Sequence, residues 1–479
     1  MLKYPDSPNR DELRSRAAQH GQEHLFAFYD QLSPAEQRDL LRDIQLIDFP
    51  TVAQQASAGA AVAPSIDLGR LESAEAWPQQ PAPGQEELYR QAGARGEALL
   101  RAGRVAAMTV AGGQGTRLGF DGPKGAFPIS PLMHKPLFQL FAETIRWTRA
   151  HYQAAIPWYI MTSMATDDAT RAFFAEQHAF GLPTDDIIFF QQGVMPALGL
   201  DGKILLEERH RVALSPDGHG GTLTALARSG ALADITARGI DSISYFQVDN
   251  PLVQPFDPLF LGLHAQARSQ VSSLTIGKAD DLERVGNFAR LDGKLCVIEY
   301  SDLPEALARA RTPDGRRQFD LANIAIHIFA REFLDELTSD TGKLSLPWHR
   351  ALKKVPYIDL HTGQKVEPQE PNAIKLERFI FDALPLAERT LLLQAERGEV
   401  FSPVKNATGV DSAETAQRDL IRRAARWLET CGISVPRRPD GEPDCVLEIS
   451  PLLAPSLDAL RAAHLGVPRI DRGGEYYFE

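Results

Sequence analysis

From Gly103 onward, short apolar runs alternate with helical patterns, and this alternation constrains the fold more than any other feature of the chain. The apolar runs have the length and composition of buried strands, and they lie at Val105–Val110, Trp158–Thr162, Ile187–Phe190 and Ser242–Val248. One helix is predicted to start at Pro136 and another to cover Thr222–Arg238. Strands that alternate with helices predict an α/β fold with a doubly wound, mostly parallel sheet. Ligands of such sheets bind beyond the carboxyl ends of the strands, so functional residues should follow the strands directly.

A glycine-rich loop follows the first of these strands. Its sequence is Ala111-Gly-Gly-Gln-Gly-Thr-Arg-Leu-Gly119, and Pro123-Lys124-Gly125 comes soon afterwards. Glycines let the backbone approach a ligand and turn its N–H groups inward. Arg117 adds a bidentate cation and Lys124 a point charge. We therefore predict a cradle for a triphosphate, formed by these two cations and by the backbone of Ala111, Gly112, Gly113, Gly115 and Thr116.

The loop differs from two common phosphate-binding motifs. It is not a P-loop, because no Gly-Lys-Ser/Thr closes a six-residue loop. The third glycine comes one residue late for a dinucleotide-binding fingerprint, and residues 130–145 are predicted to contain a helix where a second strand would carry the acidic ribose partner. An NAD-linked oxidoreductase is therefore disfavoured.

Charge and composition exclude further classes of function. Lys and Arg number 51 and Asp and Glu number 63, so the net charge is −12, which makes the chain a poor general binder of nucleic acid. No apolar run approaches the roughly 18 residues that a membrane span needs, and the N-terminus lacks the apolar core of a signal peptide. The three cysteines have no CxxC spacing, which suits a reducing compartment, so we expect a cytoplasmic protein.

The 479 residues are enough for about two or three domains. We predict a helical N-terminal segment with a linker over residues 1–102, a central α/β domain over 103–400 and a smaller α+β domain over 401–479. In the first segment, Ser33-Pro34-Ala35-Glu36 reads as a capping box that opens a helix through about Gln45. Residues 53–85 read as a linker, because they are rich in Ala, Pro, Gly and Ser. Further elements are predicted at Gln85–Arg101, Ala413–Glu429 and Cys445–Ile449.

A series of motifs, in the same order along most of the chain, resembles the eukaryotic-type UDP-sugar pyrophosphorylases, and within them the UDP-N-acetylglucosamine pyrophosphorylases. After the glycine-rich loop, the motifs are Pro157-Trp-Tyr-Ile-Met-Thr162, Phe189-Phe-Gln-Gln-Gly193, Gly202-Lys-Ile-Leu205, Pro216-Asp-Gly-His-Gly-Gly221, Val248-Asp-Asn250, Glu299-Tyr-Ser301, Ala322-Asn-Ile324, Pro371-Asn-Ala-Ile-Lys-Leu-Glu377, Phe379-Ile-Phe-Asp382, Phe401-Ser-Pro-Val-Lys-Asn406 and Glu448-Ile-Ser-Pro451. The resemblance implies a Rossmann-like nucleotide-diphospho-sugar transferase fold in the central domain. It also implies a reaction of UTP with a sugar 1-phosphate that yields a UDP-sugar and pyrophosphate.

The resemblance assigns nucleotide and phosphate contacts outside the first loop. Gln192 would read the uracil, and Gly218 and His219 would contact the nucleotide. The family usually has asparagine at position 219, so His219 leaves the sugar preference open. Lys405 would contact a phosphate, and Lys278 and Lys375 are weaker candidates of the same kind.

Other matching positions would surround the hexose. These are Gly286, Glu299 and Asn323, together with Phe379 and Phe381. The two phenylalanines are two residues apart, so we expect both to face one side of a strand, where a place in the core is an equal alternative.

Asp249 follows the strand Ser242–Val248 beside the predicted cradle. Mg²⁺ prefers hard oxygen ligands and often uses one or two carboxylates plus ligand phosphates, so we assign Asp249 to Mg²⁺, as the resemblance also implies. The phosphate of a sugar 1-phosphate is already ionised at neutral pH, so the attack on UTP needs no general base. N-Acetylglucosamine 1-phosphate is the expected sugar substrate, with glucose 1-phosphate or a broader set of hexose phosphates as the alternative. A non-catalytic nucleotide-sugar binding protein is disfavoured, because Arg117, Lys124, Asp249 and Lys405 are all present.

Overall fold

The computed structural model describes residues 9–57, 68–339, 346–466 and 469–479, and their contacts group into two compact units. The small unit contains the described residues of Met1–Leu68, Gln192–Ser229 and Gly342–Asp382. The large unit contains those of Gly69–Gln191, Gly230–Thr341 and Ala383–Glu479. Each unit is assembled from separated stretches of the chain, and this division differs from the three consecutive segments predicted from the sequence.

The helices and strands are numbered in chain order. The α-helices are α1 (Arg10–Gln19), α2 (Pro34–Gln45), α3 (Phe49–Ser57), α4 (Glu86–Arg101), α5 (Leu137–Tyr152), α6 (Asp167–Glu176), α7 (Gly221–Arg228), α8 (Ala231–Ala237), α9 (Pro258–Gln266), α10 (Glu305–Ala308), α11 (Arg331–Thr338), α12 (Arg397–Val400), α13 (Ala413–Thr430) and α14 (Leu457–Ala462). The strands are β1 (Leu71–Ser73), β2 (Val105–Val110), β3 (Trp158–Thr162), β4 (Ile187–Gln191), β5 (Val194–Pro196), β6 (Leu198–Gly199), β7 (Leu206–Glu208), β8 (Arg211–Val212), β9 (Leu214–Pro216), β10 (Ser242–Gln247), β11 (Val271–Gly277), β12 (Gly286–Leu291), β13 (Lys294–Ile298), β14 (Leu321–Ala330), β15 (His349–Lys353), β16 (Tyr357–Ile358), β17 (Lys365–Val366), β18 (Ala373–Glu377), β19 (Thr390–Gln394), β20 (Val446–Ile449) and β21 (Glu475–Phe478).

The large unit is built around one sheet with the strand order β1-β12-β14-β10-β2-β3-β4. The strands β10, β2, β3 and β4 run parallel, whereas β14 is antiparallel to β10 and to β11, and β19 is parallel to β11. Val110 is the register partner of both Gln247 and Met161, so the carboxyl ends of β10, β2 and β3 lie level with one another. The predicted α/β class with a doubly wound sheet is confirmed, and the antiparallel strands extend it.

Helices of the large unit pack closely on this sheet and on each other. A Cβ atom on Gly96 in α4 would lie 1.9 Å from the carbonyl oxygen of Pro258, and one on Gly262 in α9 would lie 1.7 Å from that of Ala92. Only glycine therefore permits the observed approach of α4 and α9. The apolar face of α5 is buried, with Leu137, Leu140, Phe141 and Ile145 all inaccessible to solvent or nearly so.

The small unit has its own core beneath a three-stranded sheet of order β15-β18-β6. The capping box at the start of α2 is confirmed, because the Ser33 N–H donates to Glu36 Oε2 at 2.8 Å and the Glu36 N–H donates to Ser33 Oγ at 3.4 Å. The first helices are therefore fixed by local sequence signals and by apolar burial of residues such as Leu40 and Phe49.

Two predicted elements differ in the structure. The single helix expected over Thr222–Arg238 is divided into α7 and α8, because Gly230 adopts a left-handed backbone with φ of +82°. Residues 53–85 contain more structure than a linker, since their first residues complete α3 and Leu71–Ser73 pairs with β12 as β1. The part of the predicted linker at residues 58–67 lies outside the described residues. The helix α3 forms through burial of its apolar side chains, and β1 forms through pairing with the distant strand β12. Neither the helix nor the strand is visible in local composition.

The last eighty residues contribute α13, α14 and the parallel pair of β20 and β21, which share a small apolar cluster around Trp427 and Leu447. The predicted helix and strand of this region are thus present, with ends within one residue of the expected ones. Every helix in the described part of the chain is too short or too polar to cross a membrane.

Candidate active site

The glycine-rich loop leaves the carboxyl end of β2 at the centre of the sheet. The Ala111 N–H donates to the carbonyl of Met161 at 2.8 Å, and Ser163 Oγ donates to the carbonyl of Gly112 at 2.8 Å. These bonds fix the start of the loop against β3. The N–H groups of Gly112 and Gly113 have no hydrogen-bond partner within the described residues. They are therefore available to a phosphate, whereas the N–H groups of Ala111 and Gly115, which were also predicted to line the cradle, donate to the carbonyls of Met161 and Gly122.

The second part of the loop folds back and carries the two predicted cations. The Lys124 N–H donates to the carbonyl of Gly113 at 3.0 Å, which closes the loop on itself. Arg117 lies in a 3-10 turn at Thr116–Leu118 and is exposed to solvent. Lys124 opens a second 3-10 turn, in which a Cβ atom on Gly125 would lie 2.1 Å from the ring of Phe138. Glycine at this position lets the Lys124 turn rest directly on the first turn of α5.

Lys124 and Asp249 meet although they are far apart in the sequence. Asp249 follows β10, and its Oδ2 atom is 3.5 Å from Lys124 Nζ. Both side chains are largely buried, with 17% of Lys124 and 13% of Asp249 exposed. The structure thus brings a predicted phosphate contact and the predicted metal ligand to one place, at the carboxyl ends of the central strands.

Lys405 belongs to a segment that contacts the Asp249 turn. The N–H of Val404 donates to the main-chain carbonyl of Asp249 at 2.8 Å. The Lys405 side chain is 42% exposed, and its Nζ atom is 3.6 Å from Asp411 Oδ2. The large unit therefore gathers the glycine-rich loop, Lys124, Asp249 and the Lys405 segment.

A metal ion at the carboxyl ends of these strands would have few protein ligands. No group of three or more His, Cys, Asp or Glu side chains arranged to hold a metal occurs in the described ranges. Magnesium usually keeps several waters and binds through one or two carboxylates together with substrate phosphates. The single Asp249 carboxylate beside the predicted phosphate cradle fits that mode of binding and does not fit an all-protein metal cage.

The predicted sugar contacts of the large unit lie side by side. Gly286 in β12 is the register partner of Asn323 in β14. A Cβ atom on Gly286 would lie 3.0 Å from Glu299 Oε1 and 3.6 Å from Asn323 Cβ. Because β14 runs antiparallel to β10, Asn323 lies toward the carboxyl end of β10, which Asp249 follows. Lys278, a weaker candidate for a phosphate contact, is buried, and this burial lowers its pKa. Its Nζ atom donates to Asn287 Oδ1 at 3.0 Å, so its side chain supports β12 from within the protein.

The predicted nucleotide contacts of the small unit form a second group. Gln192 Nε2 donates to the carbonyl of Gly218 at 2.7 Å. A buried ion pair lies beneath this loop, since Arg378 Nη2 is 3.0 Å from Asp217 Oδ2. The N–H of Gly220 also donates to the carbonyl of Arg378 at 2.7 Å. The Gly218 loop is therefore held to the segment after β18 by both backbone and side chain.

His219 is packed against aromatic rings. Its imidazole stacks on Phe379 with the ring centres 5.3 Å apart, and its Nδ1 atom accepts the N–H of Ile380 at 3.1 Å. Burial, with a smaller effect from the charge of His349, lowers the pKa of His219 to about 4. At neutral pH the ring is therefore uncharged, with its proton on Nε2.

The two phenylalanines do not share a strand face. β18 ends at Glu377, and Phe381 lies in a 3-10 helix at Ile380–Leu386. The strand prediction is wrong at this point because the chain turns after Glu377, although the two rings still pack 5.1 Å apart. Phe381 is buried, whereas Phe379 is half-buried.

Several residues at these sites were not singled out by the sequence. Asn250 is almost fully buried and bonds to the chain before Lys405, and Asp217 and Arg378 form the pair beneath the Gly218 loop. The motif Val248-Asp-Asn250 contains Asn250, so its position beside the predicted metal ligand was the available signal.

Comparison with known proteins identifies the family. The family model described as UTP–glucose-1-phosphate uridylyltransferase matches residues 49–417. The chain belongs to this UDPGP family. It is therefore a nucleotidyltransferase that transfers a uridylyl group, as the sequence resemblance implies.

Several known proteins are similar over nearly the whole chain. The UDP-N-acetylhexosamine pyrophosphorylase-like protein 1 of Xenopus tropicalis is 36% identical, over 95% of this chain and 94% of its own length. The UDP-N-acetylglucosamine diphosphorylase 1 of Arabidopsis thaliana is 35% identical, over 95% and 91%. The crystal structure of the UDP-N-acetylglucosamine pyrophosphorylase of Trypanosoma brucei, in complex with an inhibitor, superposes with a TM-score of 0.82 at 26% identity and covers 98% of both chains.

Proposed function

We propose that this uridylyltransferase joins UTP to N-acetylglucosamine 1-phosphate and releases pyrophosphate. The pairing of Lys124 with Asp249, beside the Gly112 and Gly113 amides that have no partner among the described residues, carries the nucleotide part of the proposal. The choice of sugar is supported by the N-acetylhexosamine and N-acetylglucosamine names of relatives that are about 35% identical over nearly the full chain.

The chemistry is an attack of a phosphate oxygen of the sugar phosphate on the α-phosphorus of UTP. The second pKa of a phosphomonoester is about 6, so the nucleophile is ionised at neutral pH without a base. The barrier arises from repulsion between two anions and from charge that builds on the leaving pyrophosphate. The protein therefore acts by positioning and by electrostatic stabilisation.

The residues of the glycine-rich loop act on the leaving group. The N–H groups of Gly112 and Gly113 donate to phosphate oxygens, and Arg117 and Lys124 balance the charge of the β- and γ-phosphates. Because Lys124 is largely buried, its charge is screened less by water than that of an exposed lysine.

Asp249 would hold Mg²⁺, and Lys405 would offset the charge of the incoming sugar phosphate. When bound, Mg²⁺ supplies a concentrated positive charge that polarises phosphate oxygens. Gln192, Gly218 and His219 would contact the nucleotide. The hexose would be contacted by Gly286, Glu299 and Asn323, and by Phe379 and Phe381. We also propose a cytoplasmic location, with which the buried free thiols of Cys296 and Cys445 are compatible.

A pyrophosphate-release assay with purified protein tests the proposal. UTP is combined with N-acetylglucosamine, N-acetylgalactosamine or glucose 1-phosphate at equal concentration, and each sugar phosphate is also tested with ATP, CTP and GTP. We expect the highest kcat/KM for UTP with N-acetylglucosamine 1-phosphate. A higher value with glucose 1-phosphate would overturn the sugar assignment. Binding of a UDP-sugar in calorimetry without any pyrophosphate release would overturn the catalytic function.

The metal assignment has a separate test. Titration of Mg²⁺ into the EDTA-treated protein should restore activity, and Asp249→Asn should raise the Mg²⁺ concentration needed for half of the maximal rate. Unchanged Mg²⁺ dependence in Asp249→Asn would show that the ion binds elsewhere.

A further inference from the structure

Asn250 uses its whole carboxamide to hold the backbone of two chain segments. Its Nδ2 atom donates to the carbonyl of Val400 at 2.7 Å. Its Oδ1 atom accepts the N–H of Ser402 at 3.1 Å and that of Leu252 at 3.3 Å. The side chain is only 4% exposed, so these bonds are shielded from water.

The same two segments also meet through the main chain. Asp249 directly precedes Asn250, and its carbonyl accepts the N–H of Val404 at 2.8 Å. Lys405 is the next residue after Val404. The segment that leads to Lys405 is therefore fixed to the Asp249 turn at two places, once by the Asn250 side chain and once by the Asp249 carbonyl.

Helix α13 braces this junction from another side. Ser402 Oγ donates to Asp419 Oδ2 at 2.8 Å. Arg423 Nη1 donates to the carbonyls of Leu252 at 3.0 Å and of Glu399 at 3.3 Å. Arg423 thus also joins the two segments, at Leu252 and Glu399, whereas Asn250 joins them directly beside Asp249.

We propose that Asn250 is a positioning residue that fixes the place of Lys405 relative to Asp249. This inference rests on the proposed roles of Lys405 toward the sugar phosphate and of Asp249 toward Mg²⁺. A carboxamide suits the task because it offers a donor and an acceptor without charge. Aspartate would lose the donor to Val400, and an apolar side chain would leave buried backbone groups without partners.

The test compares Asn250→Ala with a matched control, Asn372→Ala. The Asn372 carboxamide also makes hydrogen bonds through both of its polar atoms, in this case to the main chain of a single residue. Its Oδ1 atom accepts the Val355 N–H at 2.8 Å and its Nδ2 atom donates to the Val355 carbonyl at 3.0 Å. In Asn250→Ala, the KM for N-acetylglucosamine 1-phosphate and the Mg²⁺ concentration for half-maximal rate should each rise about 10-fold to 100-fold, the usual effect of removing a group that orients a metal ligand.

The KM for UTP should change less than about threefold, because the glycine-rich loop keeps its own bonds. Asn372→Ala should lower the melting temperature without moving the sugar-phosphate KM or the Mg²⁺ requirement. The proposal would be overturned if Asn250→Ala raised the KM for UTP as much as the KM for the sugar phosphate. It would also be overturned if Asn372→Ala raised the sugar-phosphate KM and the Mg²⁺ requirement without raising the KM for UTP. If Asn250→Ala does not fold, Asn250→Ser is measured by the same criteria, because a hydroxyl keeps part of the bonding.

Hydrogen exchange of the ligand-free protein gives a readout that does not depend on activity. The amides of residues 400–405 should exchange at least tenfold faster in the Asn250 variant, while those of residues 111–126 keep their wild-type rates. Unchanged exchange at 400–405 would show that Asn250 does not hold this segment. If the wild-type protein releases no pyrophosphate with any sugar phosphate, the proposed function fails, and the exchange result still reports separately whether Asn250 holds the segment.

Discussion

Replacement of Lys124 by alanine should abolish most of the turnover while leaving the fold intact. Lys124 is 17% exposed and lies 3.5 Å from Asp249, so it acts in a partly dry site. A unit charge about 4 Å from a phosphate oxygen contributes about 4 kcal/mol at an effective dielectric constant of about 20. Removal of one well-placed donor in other enzymes costs about 3–4 kcal/mol of transition-state stabilisation. We therefore expect kcat to fall about 10²-fold to 10³-fold in Lys124→Ala.

The assay is steady-state pyrophosphate release with saturating N-acetylglucosamine 1-phosphate and varied UTP, alongside denaturant unfolding. The free energy of unfolding should fall by less than the roughly 3–5 kcal/mol that breaking a fully buried ion pair costs, because Lys124 and Asp249 keep 17% and 13% of their side-chain surface exposed. Lys353→Ala removes an exposed lysine of the small unit and should leave kcat unchanged. Turnover of Lys124→Ala close to that of the wild type would refute the assigned role, and so would a loss of activity explained entirely by unfolding.

Three further predictions test other parts of the structure. In Gly286→Ala the new Cβ would lie 2.7 Å from Val297 Cγ1 and 3.0 Å from Glu299 Oε1, so both side chains must shift. The KM for the sugar phosphate should then rise about tenfold or more in the same assay, while the KM for UTP stays constant. His219 has a pKa of about 4 in place of 6.5, so the unfolded chain binds more protons between these values and stability falls as the pH drops through that window. Urea unfolding at pH 7 and pH 5 should show a smaller acid-induced loss in His219→Asn than in the wild type. Lys135→Met leaves the buried Glu143 carboxylate without the ammonium 2.7 Å away and should cost about 3–5 kcal/mol of unfolding free energy, much of which Glu143→Leu in the same chain should restore. Equal stability of Lys135→Met and wild type would show that this buried pair contributes nothing.

Elements with strong local signals could be predicted from the sequence alone. The strands β2 and β3 occupy the predicted residues, and β4 and β10 differ from the prediction by one residue at their ends. The reason is that a parallel strand covered by helices on both faces reads as a short, continuous apolar run. The helix α2 was equally clear, because Ser33 and Glu36 bond to each other's backbone within a single turn.

Elements that depend on distant contacts could not be predicted in the same way. Residues Leu71–Ser73 are a strand only because β12 lies beside them, and the residues after Glu377 turn away from a strand path in spite of the alternating phenylalanines. Local composition does not report such partners, since they belong to parts of the chain separated by hundreds of residues. The same holds for His219, whose low pKa comes from burial by neighbours that are remote in sequence.

The sequence by itself determined the class of fold, the glycine-rich loop with its two cations after β2, and the position of Asp249 after a neighbouring strand. These features follow from the alternation of apolar runs and helical patterns, from the glycine content and from the charged side chains, all of which are properties of short stretches of the chain. Only the tertiary structure decided that Lys124 meets Asp249 and that Asn250 holds the segment before Lys405. The chemistry of a side chain limits the kinds of bond that it can form, but the packing of strands and helices determines which partner it contacts.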